Sequence, residues 1–114
     1  MRGRPDREGG SVAAELAIAL PAVVLTLLLG AGALGAAARQ VSLQDAASDA
    51  ARLLGRGEGR AAASAALTAS APGARMSSAV EGDLVCVTAR AEAGIGSLLR
   101  VPLRASSCAL DGGR

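Results

Sequence analysis

Between Leu16 and Ala38 the chain runs for 23 residues without a charged side chain. As a helix this run is about 34 Å long at ~1.5 Å per residue. A bilayer's apolar core is ~30 Å thick, so the segment is long enough to cross one. The apolar stretch begins at Val12, and Glu15 is the one charge inside it. Glu15 lies four residues after Ser11 and five after Gly10. An unpaired carboxylate beside lipid is costly, so its place there calls for a partner or for an escape to the headgroups.

The portion beyond the span is small. Only 76 residues come after Ala38, close to the lower limit for a self-sufficient core, so a domain of this size needs staples or partners. The chain has no Phe, Trp, Tyr, His, Lys or Asn, and all twelve basic residues are Arg. A core must therefore be built from Val, Leu, Ile, Met and Ala. General acid–base chemistry is reduced to carboxylates and thiols, which argues against an enzyme. With a net charge of +2 and no aromatic side chain for base stacking, the sequence argues for no nucleic-acid partner.

Ahead of the span, Met1 to Gly10 is polar and carries Arg2, Arg4 and Arg7 against Asp6 and Glu8. Positive charge before an apolar span favours a cytoplasmic N-terminus. Pro5 and the Gly9-Gly10 pair argue against helix before Ser11. Three readings of this region compete. One is an uncleaved single-pass anchor with Glu15 near the interface. Another is a secretory signal cut after Ala38, where Ala36-Ala37-Ala38 meets the small-x-small rule, although the apolar run exceeds the usual ~7–15 residues. The third rests on the spacing of Gly10, Ser11 and Glu15.

Within GGSVAAELAIALPAVVLTLLLG, Gly10, Ser11, Glu15 and Leu20-Pro21 resemble the processing region of type IV prepilins, and more closely that of the TadE-like minor pilins (pseudopilins) of Tad (Flp-type) systems. The resemblance covers about the first third of the chain strongly and the remainder only in layout. It implies a leader over residues 1–10, cut between Gly10 and Ser11 by a prepilin peptidase, with Glu15 as a recognition and assembly residue. It further implies other pilin or pseudopilin subunits and an inner-membrane assembly platform as partners. Major Flp pilins usually carry Tyr after this Glu. Here Leu16 stands there, which favours a minor pilin. The physics is compatible: a cut at Gly10 creates an amine four residues from Glu15, and a buried acid is tolerable when paired with a neighbour's amine.

Past Arg39, the apolar residues Val41, Leu43, Ala46, Ala47, Ala50, Ala51, Leu53 and Leu54 keep a helical step, with Asp45, Asp49 and Arg52 on the polar side. One helix from about Val12 to Leu54 is expected, apolar in its first half and amphipathic in its second. Pro21 removes one hydrogen bond and can kink it. Small residues four apart, Ala31/Gly35 and Gly32/Ala36, permit close helix approach, a weak signal in so Ala-rich a chain. Gly55 to Gly59, with three glycines in five residues, ends the helix. It lacks the preceding strand and the Lys-Ser/Thr of a phosphate loop. Arg60 to Ala71 reads as a short helix stopped by Ala71-Pro72-Gly73.

The period then changes to two. Arg75–Val80 reads as a weak strand, Glu81-Gly82 as a two-residue turn, Leu84–Ala91 as the best strand, Gly94–Ser97 as a loop, and Leu99 to about Ala109 as a third strand with Pro102 marking an edge. Placing Val80 opposite Asp83 sets Met76 opposite Val87. Placing Cys86 opposite Cys108 sets Ala89 opposite Ala105 and Ala91 opposite Leu103. Both registers gather Val85, Val87, Ala89, Ala91, Leu103 and Ala105 on one face, and leave Thr88, Arg90, Arg104 and Ser106 on the other. Cys86 and Cys108 become cross-strand neighbours. In an oxidising compartment a disulfide there adds ~3 kcal/mol; two free thiols are the alternative. Two Cys with no His make no zinc set, and no cofactor is expected. Residues 109–114 read as a frayed end.

The expectation is an α+β protein. It has a leader (1–10), a transmembrane and assembly helix (11–38), an amphipathic extension and Gly-rich hinge (39–58), and a small extracytoplasmic head (59–114) with a short helix and a three-stranded antiparallel sheet. It would sit single-pass in the cytoplasmic membrane, N-terminus inside and head outside, in contact with membrane lipid. The resemblance adds a place in a pilus or at the cell surface, with a part in adhesion.

Overall fold

The computed structural model describes residues 3–95 and 97–112, with side chains from residue 10 onward. Five elements succeed one another: α1 (Gly3–Gly55), α2 (Arg60–Ser70), β1 (Arg75–Glu81), β2 (Leu84–Ile95) and β3 (Leu99–Leu110). The arrangement is α+β. The molecule is 85 Å long and 22 by 17 Å across, and α1 accounts for most of that length, at about 80 Å for a straight helix of its size.

The helix starts earlier than the sequence suggests. Pro5 and Gly9-Gly10 argue against helix before Ser11, and the expected start is about Val12, yet α1 begins at Gly3. Pro5 falls in the first turn, where backbone N–H groups have no helical acceptor and proline forfeits nothing. Each glycine costs about 1 kcal/mol against alanine, which weakens a helix without forbidding it. Met1 and Arg2 lie outside the described residues. At its other end α1 closes with paired capping bonds: the Glu58 amide donates to the Leu53 carbonyl (3.1 Å) and the Gly57 amide to that of Leu54 (2.9 Å). This geometry needs a left-handed residue after the last turn, and Gly57 supplies it at φ 81°.

The sheet is a meander in the order β1-β2-β3, antiparallel throughout. Its β2–β3 register is the expected one, with Cys86 opposite Cys108, Ala89 opposite Ala105 and Ala91 opposite Leu103. The β1–β2 register differs by two residues: Val80 faces Val85 and Met76 faces Ala89. The turn residues are Gly82 and Asp83, because Gly82 takes φ 59° at the first loop position, as a two-residue hairpin of right-handed twist requires. A shift of two preserves the faces, so the apolar side is unaffected. β2 also runs on to Ile95, so Gly94 and Ile95 are strand rather than loop, held by pairing with Arg100 and Leu99. Gly96, within the expected loop, lies outside the described residues. Nor is residue 111 onward all frayed: the Asp111 amide donates to the Asp83 carbonyl (2.7 Å) and the Gly112 amide to that of Gly55 (2.8 Å).

The core lies between the distal half of α1, α2 and the inner face of the sheet. Leu43, Ala46, Ala47, Ala50 and Ala51 of α1 meet Ala63 and Leu67 of α2 and Val87, Ala89, Ala91 and Ala105 of the sheet. Leu43, Leu67 and Val87 are the largest fully buried side chains, and the remainder is mostly alanine. Small side chains bring backbones close: a Cβ on Gly55 would stand 2.6 Å from the Leu110 carbonyl oxygen. α2 contributes its burial through Ala63 and Leu67, so Leu67→Ala should cost about 2–5 kcal/mol. Denaturation of the full chain in detergent, followed by amide exchange in β2 because no Trp or Tyr is present, measures this. A loss below about 1 kcal/mol would place α2 outside the cooperative unit.

Candidate functional site

Two surfaces of α1 differ sharply. From Leu43 to Gly55 one side is sealed against the sheet and α2. From Gly10 to Leu29 every residue is exposed. Val12, Leu16, Ile18, Leu20, Val23, Val24, Leu25, Leu27, Leu28, Leu29 and Leu34 all lie at least half open, between 50% and 76%. Burying a large aliphatic side chain is worth about 1.5–3 kcal/mol, so a bare row of this length calls for an apolar surround. Among the described residues α1 is the one helix long and apolar enough to cross a membrane.

Glu15 sits near the start of this exposed face, inside the helix. Gly10 and Ser11 precede it on the same unbroken helix. Pro21 also lies within α1, where it leaves the carbonyl four residues earlier without its amide partner. The one hydroxyl of the span, on Thr26, donates back to the Ala22 carbonyl at 2.8 Å, so it brings no free polar group into the apolar stretch.

The span joins the head without a linker. The Arg39 guanidinium donates to the Glu92 carbonyl (3.1 Å) and to the Pro72 carbonyl (2.7 Å). The Gln40 and Gln44 side-chain amides donate to the Arg104 and Ser106 carbonyls (2.8 and 2.9 Å), and Ser48 bonds Ser107 (3.1 Å). β3 therefore runs alongside α1 in the same direction, and the β2–β3 hairpin points back along the helix toward the span. Its Ile95 packs so closely on Gly32 that a Cβ there would meet Cγ2 at 2.7 Å.

Residues 10–52 match the model of the TadE-like protein family. Over that segment the chain is similar to TadE-like proteins. The matched segment opens at Gly10, takes in Glu15 and the whole charge-free run, and ends three residues short of the end of α1. It covers the bare face and the part of α1 that packs on the head, and none of the sheet. The match suggests a protein associated with the Tad pilus. Neither a curated protein nor a solved structure matches the chain.

Cys86 and Cys108 form a disulfide across β2 and β3, on the outer face of the sheet. It closes a loop of sequence separation 22. Among the described residues no cluster of His, Cys, Asp and Glu is placed to hold a metal ion. One group was not singled out from the sequence: Arg39, Arg75, Arg90, Arg100 and Arg104 line one open groove of about 750 Å³ with Pro72, Glu92 and Pro102. The signal was present, since the register that joins the two cysteines also sets Arg90 opposite Arg104. Replacing Cys86 and Cys108 together by Ser should lower the stability of the head by about 3 kcal/mol, seen as an earlier denaturation midpoint. Reduction of the wild type should reproduce the shift, and an unchanged midpoint in both would mean that the hairpin needs no tether.

Proposed function

We propose that this protein is a minor pilin or pseudopilin of a Tad-type pilus or secretion apparatus, processed by a prepilin peptidase and assembled through α1. The observation that carries the reading is the combination at the start of the TadE-like segment: Gly10-Ser11, then Glu15, then a helix whose apolar face is bare. In this reading residues 1–10 are the leader, 11–38 the transmembrane and assembly helix, 39–58 its amphipathic extension and hinge, and 59–114 the extracytoplasmic head. The N-terminus begins on the cytoplasmic side.

The role of each residue is set by charge and geometry. Gly10 and Ser11 flank the cut, and glycine leaves the scissile bond open to a peptidase because it has no side chain. Cleavage makes Ser11 a free ammonium. In lipid, Glu15 is a charge without a partner. Between packed helices it pairs with the Ser11 amine of a neighbouring copy or of another pilin subunit, and its desolvation is offset only there. The carboxylate thus makes one stagger between neighbours more favourable than the others. Pro21 gives the helix a place to bend as it passes from the membrane platform into an assembly. The function is helix packing, with no catalytic step and no cofactor.

A second reading, an uncut single-pass anchor, is favoured by one observation: α1 runs without a break from Gly3 through Gly10. The N-terminal residue of the protein isolated from its native membrane separates the two. A chain beginning at Ser11 is expected, and Glu15→Ala should leave the chain in the membrane while abolishing its incorporation with other pilin subunits. A chain beginning at Met1 would establish the uncut anchor. One beginning at Arg39 would mean a released head and no assembly role for Glu15.

A further inference from the structure

We infer that the head rests on the membrane, with an arginine belt bound to anionic phospholipid headgroups and the β2–β3 hairpin tip dipped beyond them into the edge of the apolar core. The inference rests on α1 being a membrane span and goes beyond its role in assembly. It concerns the leaflet that α1 enters at Arg39.

The first observation is a row of like charges. Arg75 is the register partner of Arg90, and Arg90 is the register partner of Arg104. Three arginines thus cross all three strands side by side on the outer face. Like charges directly opposite one another destabilise a sheet. Among the described residues the ion pairs are Asp49–Arg52, Arg56–Glu58 and Glu92–Arg100, so no carboxylate stands within ion-pair distance of the row. The groove it lines holds five arginines and one acid, Glu92. An anion of several charges, or several anions side by side, is the complement to such a row. A guanidinium is suited to phosphate oxygens, which it can bind with two parallel hydrogen bonds.

The second observation is where the row lies. The Gln40 side chain bonds the Arg104 carbonyl, and Arg39 bonds the carbonyl of Glu92. The row is therefore level with residues 39 and 40, the point at which the charge-free run of α1 ends. This is the height of the headgroups if that run fills the apolar core. The third observation is what projects past the row. Residues 93–99 carry no charge. Leu98 is 93% exposed and Leu99 56% exposed. Ile95 packs on Gly32, seven residues before Arg39 and so about 10 Å further into the span. An apolar tip beyond a basic belt is the arrangement of a surface that docks on an anionic bilayer. Because β3 is fixed to α1 by the Gln40, Gln44 and Ser48 bonds, the tip cannot avoid the interface once the span is inserted.

The test uses the full-length chain with its disulfide intact, in nanodiscs of phosphatidylcholine with and without phosphatidylglycerol. Spin labels are placed singly at Leu98→Cys in the tip, Leu25→Cys in the span and Val80→Cys at the far end of the head. Accessibility to oxygen against a water-soluble nickel chelate reports depth. Spin-labelled lipids report which headgroup the protein retains. The Leu98 label should resemble that at Leu25 in favouring oxygen, while the label at Val80 favours nickel. Phosphatidylglycerol should be retained over phosphatidylcholine by at least about threefold. Replacing Arg75, Arg90 and Arg104 together by Gln should bring the ratio to about one; these side chains are exposed, so the fold is not at risk. A label at Leu98 as open to nickel as that at Val80, with Leu25 in lipid, overturns the inference and leaves the span standing. A label at Leu25 open to nickel removes the span, and the docking with it. A Leu98 label shielded from both reagents and broadened by a neighbouring label means that a second copy covers the tip, and equal retention of the two lipids means that the belt binds none; either overturns the inference.

Discussion

The structure depends on a seam of small side chains along the distal half of α1. Ala46, Ala47, Ala50 and Ala51 are all buried there, with Leu43 at the seam's proximal end. Alanine gives little burial per residue, but it lets the helix backbone lie close to the sheet, and close approach compensates through many short contacts. The same helix is bare from Gly10 to Leu29. One element therefore serves two solvents, with no hinge between them, and Arg39 marks the change by tying its guanidinium to carbonyls of the head. Whatever surrounds the proximal half fixes the position of the sheet.

That division explains why some of the fold could be read from the sequence and some could not. The inner face of the sheet was legible because its signal is parity: Val85, Val87, Ala89 and Ala91 alternate with Cys86, Thr88 and Arg90, and even a register error of two left the face unchanged. The β2–β3 pairing was legible because the two cysteines fix it. The β1–β2 register was missed because Glu81-Gly82 and Gly82-Asp83 are both plausible turns, and only the backbone angle at Gly82 distinguishes them. Gly94 and Ile95 read as loop because glycine is poor in strands; they are strand because β3 continues opposite them and Ile95 finds Gly32. The start of α1 at Gly3 was missed for a related reason: Pro5 breaks a helix only from its second turn on. Within the candidate site, Gly10, Ser11 and Glu15 stand out by their spacing and its resemblance to a prepilin processing region, and the matched segment opens at Gly10. The arginine groove does not stand out, because it is assembled from α1, β1, β2 and β3, and its members are up to 65 positions apart.

Lipid and a bundle of helices are both apolar, so a side chain such as Leu25 or Leu28 has little preference between them. Transfer of α1 from one to the other therefore costs little along most of its length. A carboxylate does distinguish them. In hydrocarbon it lacks a partner, and beside an ammonium it gains one. Under the proposed processing, Glu15 is the residue that makes the assembled state more favourable than the dispersed one, and the aliphatic residues around it supply the contact area without choosing a state.

In the two proposals, the charged features at opposite ends of the apolar run act on different neighbours. Glu15, at one end, takes a cation from another subunit. The row Arg75, Arg90 and Arg104, at the other, takes lipid anions, and its members are set opposite one another by the sheet register itself. A sheet free of other demands would not place three guanidinium groups in one row, because their repulsion opposes the pairing that aligns them. The same strands carry an alanine face that the helix seam requires, so the outer positions are the only ones left for charge. Their height along α1 is set by Arg39 and Gln40, which end the span. The inner face thus fixes the head on the helix, and this attachment carries the arginines to the level where phosphate oxygens lie if the span is filled by lipid.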